Sequence, residues 1–250
     1  MKHGPGLIVV PCQELARYHR FTDSLANLEK PEGSLVQFTV GMSITDNLNM
    51  GVRSMQPEHE WVWLLGDDHI FDPNTLMRLL DRNEDIIAPL VVQRFPPFGL
   101  IHFQEQIGDT EFHRRVQFED LPDEPFEVER SGSLMLIRRH VLEAIGDPWW
   151  GHANWRLSED MYFTGKAREL GFRVMVDPEV TAAHIGNFFV YPQKRDGVWG
   201  LKLDFGHGYS MFYPGGIEEN AAALGQLEPA RKWRDPGKKG LGTKKPKAFA

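Results

Sequence analysis

The sequence predicts an α/β protein: an open, mainly parallel sheet with helices on both faces. Three observations predict it. Strand-like and helix-like segments alternate along the chain, which is the order that builds parallel sheets. The run Trp61-Val62-Trp63-Leu64-Leu65 is apolar without a break, as a strand covered on both faces must be. The helical segments carry start and stop residues, with Ser158 before one of them and Gly171 after it.

Each element follows from its residues. Leu7 to Pro11 forms a first buried strand, and Ser34 to Val40 a second that Gly41 ends. Trp61 to Leu65 is the third. Asp72 can cap a helix whose first turn suits Pro73, and that helix runs through Leu76, Met77, Leu79 and Leu80. Asp85 to Val92 is a further strand, in which Pro89 calls for an end or edge position. Phe95 to Glu129 is rich in Pro, Phe and acids, and predicts a smaller, partly antiparallel region. Ser131 to Ile137 reads as one strand, followed by a short helix that stops at Gly146. Ser158 opens a helix ending at Gly171. Phe172 to Val176 is a strand that Val180 to His184 extends or pairs with.

Composition bounds the function. The 250 residues are 41% hydrophobic and 11% aromatic, too apolar for a disordered chain and enough to bury a core. Cys12 is the single cysteine, which excludes an intramolecular disulfide framework and a cysteine-built zinc site. No apolar run reaches the ~20 residues of a membrane helix. The apolar start, Leu7 to Val10, is too short for a signal-peptide core. A reducing, cytoplasmic setting is therefore expected. The net charge of -7 hides an asymmetry. From Glu228 to the end, eight bases stand against two acids, a balance of +6 that leaves -13 for the other 227 residues. That tail, rich in Gly, Pro and Lys, reads as a flexible extension. It suits a solvated end, and equally an anionic partner such as nucleic acid.

Three motifs carry chemistry, each beside a plainer reading. Gly66-Asp67-Asp68-His69 follows the apolar strand directly. Open α/β sheets bind ligands at the carboxyl ends of their strands. Two adjacent acids there attract a hard divalent cation such as Mg²⁺ or Mn²⁺, and Mn²⁺ also accepts imidazole. The same residues suit a polar turn. In Ser158-Glu159-Asp160, Ser158 serves as a helix cap and the acids favour the helix dipole, while Asp160 can also project into a cleft as a general base. In Thr181-Ala182-Ala183-His184, the histidine is either structural or a third metal contact across from Asp68.

In order and with their neighbours, these motifs resemble the GT-A fold, nucleotide-sugar-dependent glycosyltransferases. Trp63 to Leu76 resembles that family's aspartate-containing metal motif, and Gly132-Ser133-Leu134-Met135-Leu136-Ile137-Arg138-Arg139 its acceptor-side strand. Ser158 to Phe163 resembles its Glu-Asp motif. Gly171 to Val174, Asp177-Pro178 and His184 resemble its closing strands, so that the likeness spans Leu7 to Gly186. Two departures stand out. Gly66 occupies the place of the first acid of Asp-x-Asp, and Leu48-Asn49 stands where Arg-Asn is frequent.

The resemblance implies a GT-A sheet with a small antiparallel acceptor-side region. Residues 1–215 would form the transferase domain, with a donor half to about 94 and an acceptor half beyond it, and 216–250 an extension. It implies a sugar transfer from a nucleoside-diphosphate sugar, UDP-sugar favoured, to an acceptor hydroxyl with inversion. Mn²⁺ or Mg²⁺ would sit on Asp68, His184 and Asp67. Asp160, with Glu159 beside it, would be the base, and Pro11, Asn49, Asp67, Asp68 and Arg94 would meet the donor. Gly132, Ser133, Trp150 and Trp155 would meet the acceptor: a glycan, a protein or a hydroxylated base in DNA.

Aromatic stacking and plain core packing both suit Trp149, Trp150 and Trp155. His207, in a glycine-rich stretch, suits a lid or a surface loop. Two other functions compete. A sugar nucleotidyltransferase also pairs acids with a metal, but would carry a Gly-rich basic loop where Pro11-Cys12-Gln13-Glu14-Leu15 stands. A noncatalytic carbohydrate- or nucleic-acid-binding module of degenerate fold would not need Asp68, Asp160 and His184. Neither a Gly-x-Ser-x-Gly elbow nor a His-Glu-x-x-His helix occurs.

Overall fold

A computed structural model describes residues 3–12, 18–41, 43–94, 98–108, 110, 112–151, 158–186, 189–206 and 209–215, with only the backbone at 205, 206 and 209. Its centre is a seven-stranded sheet. In spatial order the strands are Leu35–Val40, Leu7–Cys12, Trp61–Leu64, Leu136–Arg138, Ile86–Leu90, Val174–Thr181 and Phe126–Val128. Five of them run parallel; Leu136–Arg138 and Phe126–Val128 run against the rest. This is the open, mainly parallel sheet that the sequence predicts.

Apolar residues alternate between the two faces. Val62 and Leu64 enter one core, with Leu7, Val9, Ile86 and Ala88. Trp61, Trp63 and Leu65 enter the other, with Ile8, Val10 and Ile87. The helices Ile44–Arg53, Arg139–Ile145 and Glu159–Glu169 cover the first face through Leu48, Val141 and Phe163. The helices His19–Ala26 and Thr75–Asp81 cover the second through Phe21, Leu76 and Leu80. Gly51 lets one helix approach closely, since a Cβ there would lie 2.3 Å from Val9.

Caps act largely as expected. Ser158 Oγ accepts the Met161 amide, Gly146 (φ 75°) closes the short helix, and Gly171 (φ 89°) follows the last turn of the next. Asp72 does not cap its helix. That helix starts at Thr75 behind Asn74, and Asp72 contributes only its carbonyl, which accepts the Thr75 amide at 3.1 Å. Pro89 lies near the end of an interior strand, where its register with Val174–Thr181 shifts.

The single strand expected over Ser131 to Ile137 is broken. Arg130–Ser131 joins a three-stranded antiparallel sheet with His102–Gln106 and His113–Arg115, while Leu136–Arg138 enters the central sheet. Between them Ser133 (φ 58°) and Leu134 (φ 53°) lie in the left-handed region. A five-stranded antiparallel sheet, ordered Tyr209–Pro214, Val198–Gly206, Phe189–Arg195, Ala183–Ile185 and His69–Ile70, completes the fold. His184 is the direct cross-strand partner of His69 in that sheet.

Candidate active site

Gly66 to Asp68 turns the chain out of Trp61–Leu64, and His69–Ile70 then pairs with Ala183–Ile185. That pairing stacks the two imidazoles, with ring centroids 4.4 Å apart and planes at 23°. Asp68 closes the group. Its Oδ1 lies 3.1 Å from His69 Nδ1, and its Oδ2 lies 3.2 Å from His184 Nε2. Arg94 Nη1 donates to the same Oδ2 at 2.6 Å. The substitution of glycine at position 66 has a steric reason. A Cβ there would lie 2.9 Å from Asp68 Oδ1 and 2.8 Å from His69 Nδ1, so Gly66 leaves the space that both side chains use.

The electrostatics suit a cation. Burial opposes the charge on Asp68, but hydrogen bonds with His184 and His69 prevail and hold its carboxyl well below the usual range. Burial likewise pushes the His69 ring toward its neutral form, against the pull of Asp68. His184 Nδ1 lies 3.0 Å from the Val92 carbonyl, which can only accept, so that nitrogen carries the proton. In the neutral ring, the Nε2 lone pair then faces Asp68 Oδ2. Two acceptors face to face call for a proton or a metal ion between them. The ligand atoms of Asp68, His69 and His184 all lie within 4.8 Å of one another, and one carboxylate with two imidazoles is a donor set that Mn²⁺ accepts.

Asp160 sits across the same cleft of about 520 Å³, which Pro11, Asp68, His69, Arg94, Ser133 and Asp160 line with others. It occupies the first turn of Glu159–Glu169, and its Oδ2 accepts the Ser133 amide at 2.8 Å. Burial, with the neighbouring Glu159 charge, pushes its carboxyl up to about 7 against the pull of that amide. The left-handed backbone at Ser133 aims the amide. Such a conformation costs on the order of 1–3 kcal/mol per residue and persists where its surroundings enforce it. The Leu134 carbonyl accepts the Trp63 indole N–H at 2.9 Å, and Ser131 Oγ meets buried His102 at 3.0 Å. These contacts hold the break from both sides.

The cleft thus gathers Pro11, Asp68, Arg94, Ser133, Glu159, Asp160 and His184 from the residues expected by sequence. Asp67 is half-buried beside them, and the ligand atoms of His69 converge with those of Asp68 and His184. Gly132 donates its amide to the Ile101 carbonyl at 2.9 Å and serves the backbone break.

Two residues take other places. Asn49 is buried. Its Oδ1 accepts the amides of Trp149 and Trp150 at 3.0 and 3.1 Å, and its Nδ2 donates to the Trp150 carbonyl at 2.7 Å. Its polar groups are spent inside the fold and away from a donor. Trp150 is 1% exposed and stacks on Phe163 with centroids 4.8 Å apart, so it has no surface to offer an acceptor. Trp150→Ala is accordingly expected to cost about 3–5 kcal/mol of stability through a core cavity. Urea denaturation checks it; an unchanged midpoint would contradict the core placement. Trp155 and His207 lie outside the described residues, as does the basic tail.

His69 is the residue that sequence reasoning left without a role. Its presence in the motif was visible, but its pairing with His184 depends on strands more than a hundred residues apart.

Comparison with known proteins bears on the fold and the family. No curated protein matches the chain. Among solved structures, A197 from STIV is similar over 84% of this chain and 98% of its own, at 15% identity and a TM-score of 0.54. GalNAc-T7, solved with UDP, GalNAc and Mn²⁺, is similar over 73% of this chain and 43% of its own, at 10% identity and a TM-score of 0.52. Both likenesses concern the fold. The family model described as "Glycosyltransferase like family 2" matches residues 30–199, more than half of the sequence and nearly all of the cleft. The chain belongs to that glycosyltransferase-like family 2.

Proposed function

We propose that this chain is a metal-dependent glycosyltransferase. It moves a sugar from a nucleoside diphosphate, UDP by preference, to an acceptor hydroxyl with inversion. The observation that carries this reading is one cleft holding a cation-seeking Asp68–His69–His184 group and a half-buried carboxyl, Asp160, with an affinity for protons suited to neutral pH.

The division of labour follows from position. Asp68, His69 and His184 would hold a divalent cation, which when bound would supply positive charge for the leaving diphosphate. Arg94, half-exposed at the cleft, is placed to add a guanidinium to the same phosphates. Pro11, Ile44, Leu48 and Leu64 give the cleft an apolar wall. Asp160 takes the acceptor hydroxyl proton as the acceptor oxygen bonds to the anomeric carbon. The bond from that carbon to the diphosphate oxygen breaks, and its electron pair leaves with the diphosphate. Attack from the face opposite the leaving group inverts the centre. Asp67 and Glu159 flank the two reacting ends, and residues 95–215 supply the acceptor side. The similarity to GalNAc-T7, solved with UDP and Mn²⁺, supports the donor class and the cation.

A thermal-shift panel tests this reading. UDP-, GDP-, CDP- and TDP-sugars are compared with and without Mn²⁺. A ligand at about 100 times its dissociation constant adds ~2.7 kcal/mol of stability, so one donor class should raise the melting temperature clearly, and only with the metal. No shift with any sugar nucleotide would overturn the proposal.

A further inference from the structure

One residue touches both halves of the cleft. The Ser133 amide donates to Asp160 Oδ2 at 2.8 Å, and the Ser133 hydroxyl lies 3.3 Å from His69 Nε2. These two contacts leave in different directions from a single residue whose φ of 58° is unusual for any side chain but glycine.

Chemistry explains why a hydroxyl suits the second contact. His69 Nδ1 faces two acceptors, the Gly66 carbonyl at 3.3 Å and Asp68 Oδ1 at 3.1 Å. With no cation present, that nitrogen is the protonated one, and Nε2 must accept. Were Nδ1 to ligate a cation on the Asp68 side, it would carry no proton, and Nε2 would be the nitrogen that donates. A serine hydroxyl does either by rotating about one bond. Alanine and glycine do neither. Groups that fix the second nitrogen of a ligating histidine set its tautomer and ring orientation, and their loss typically weakens metal binding.

We infer that Ser133 is the positioning residue that joins the two halves of the site: its amide fixes the Asp160 carboxylate, and its hydroxyl holds the His69 ring in whichever tautomer the cation requires. This rests on the proposed metal centre. It separates two effects that ordinary loop packing would merge. Removing the hydroxyl weakens the cation site, and the backbone contact to Asp160 survives.

The test uses Ser133→Ala and Ser133→Gly in the full chain, with Mn²⁺ as the probe in isothermal titration calorimetry. Both variants lose the hydroxyl. Alanine keeps the left-handed strain and glycine relieves it, so glycine should leave the melting temperature unchanged or raise it. The expected result is a Mn²⁺ dissociation constant raised about tenfold or more in both variants. Nitrogen NMR of the metal-free protein should also show a changed His69 tautomer balance in Ser133→Ala. Mn²⁺ affinity equal to wild type in either folded variant overturns the inference and leaves the metal centre standing. Absence of Mn²⁺ binding in the wild type overturns the metal centre and the inference with it.

Discussion

Asp160→Asn is expected to lower turnover by about a thousandfold, within the 10²–10⁴ that general-base catalysis contributes. The substitution keeps the shape and removes the proton acceptor. It does not touch the Asp68–His69–His184 group, so binding of Mn²⁺ and UDP should persist, as calorimetry would show. The wild-type pH profile should agree. A base whose carboxyl is pushed up to about 7 is protonated and idle in acid, so kcat/KM should fall as pH drops below about 7.

A second readout needs no substrate. The folded carboxyl holds its proton to higher pH than an unfolded aspartate, whose value is ~3.9. Between those values the folded state binds more protons than the unfolded one, so this group makes stability decline as pH rises through the window. Asp160→Asn should remove that decline. Denaturant midpoints across the window measure it. Equal slopes in the two proteins, or normal turnover in the variant, would refute the assignment of the base.

Asp68→Asn is expected to abolish useful metal binding, raising the Mn²⁺ dissociation constant on the order of 100-fold or more, since even supporting residues of a metal site are worth 10–100-fold. Asp68 is the geometric hub: His69, His184 and Arg94 all converge on its two oxygens. The amide keeps one acceptor oxygen and loses the charge on which the proposed cation site depends. Sugar transfer should fall with it, and excess Mn²⁺ should restore part of the rate. His184→Ala should behave alike, because its Nε2 faces the same oxygen. Mn²⁺ binding that is unchanged in both variants would place the cation elsewhere.

Much of the fold was legible because its signals are local. The continuous apolar run Trp61 to Leu65 reports a strand with both faces covered, and it proves interior to the sheet. Ser158, Gly146 and Gly171 mark helix ends through their own backbone chemistry. The break at Ser133-Leu134 was not legible. Neither residue favours a positive φ, and the conformation is imposed by Trp63 and by the Ser131–His102 contact. Asn49 and Trp150 misled for a related reason. A polar side chain and an indole look available in a sequence, but each is consumed by burial in the interior.

By itself, the sequence determined the alternation of strands and helices, the acidic turn after the third strand, and the Ser158-Glu159-Asp160 helix start. Each depends on residues close in the chain, where propensity and periodicity act. Only the tertiary structure decided that His69 stacks on His184 beside Asp68, and that Ser133 stands between His69 and Asp160. Those placements depend on the register of His69–Ile70 against Ala183–Ile185 and on a broken strand held by distant side chains. Register between distant segments is set by the packing of whole sheets, and no local pattern encodes it.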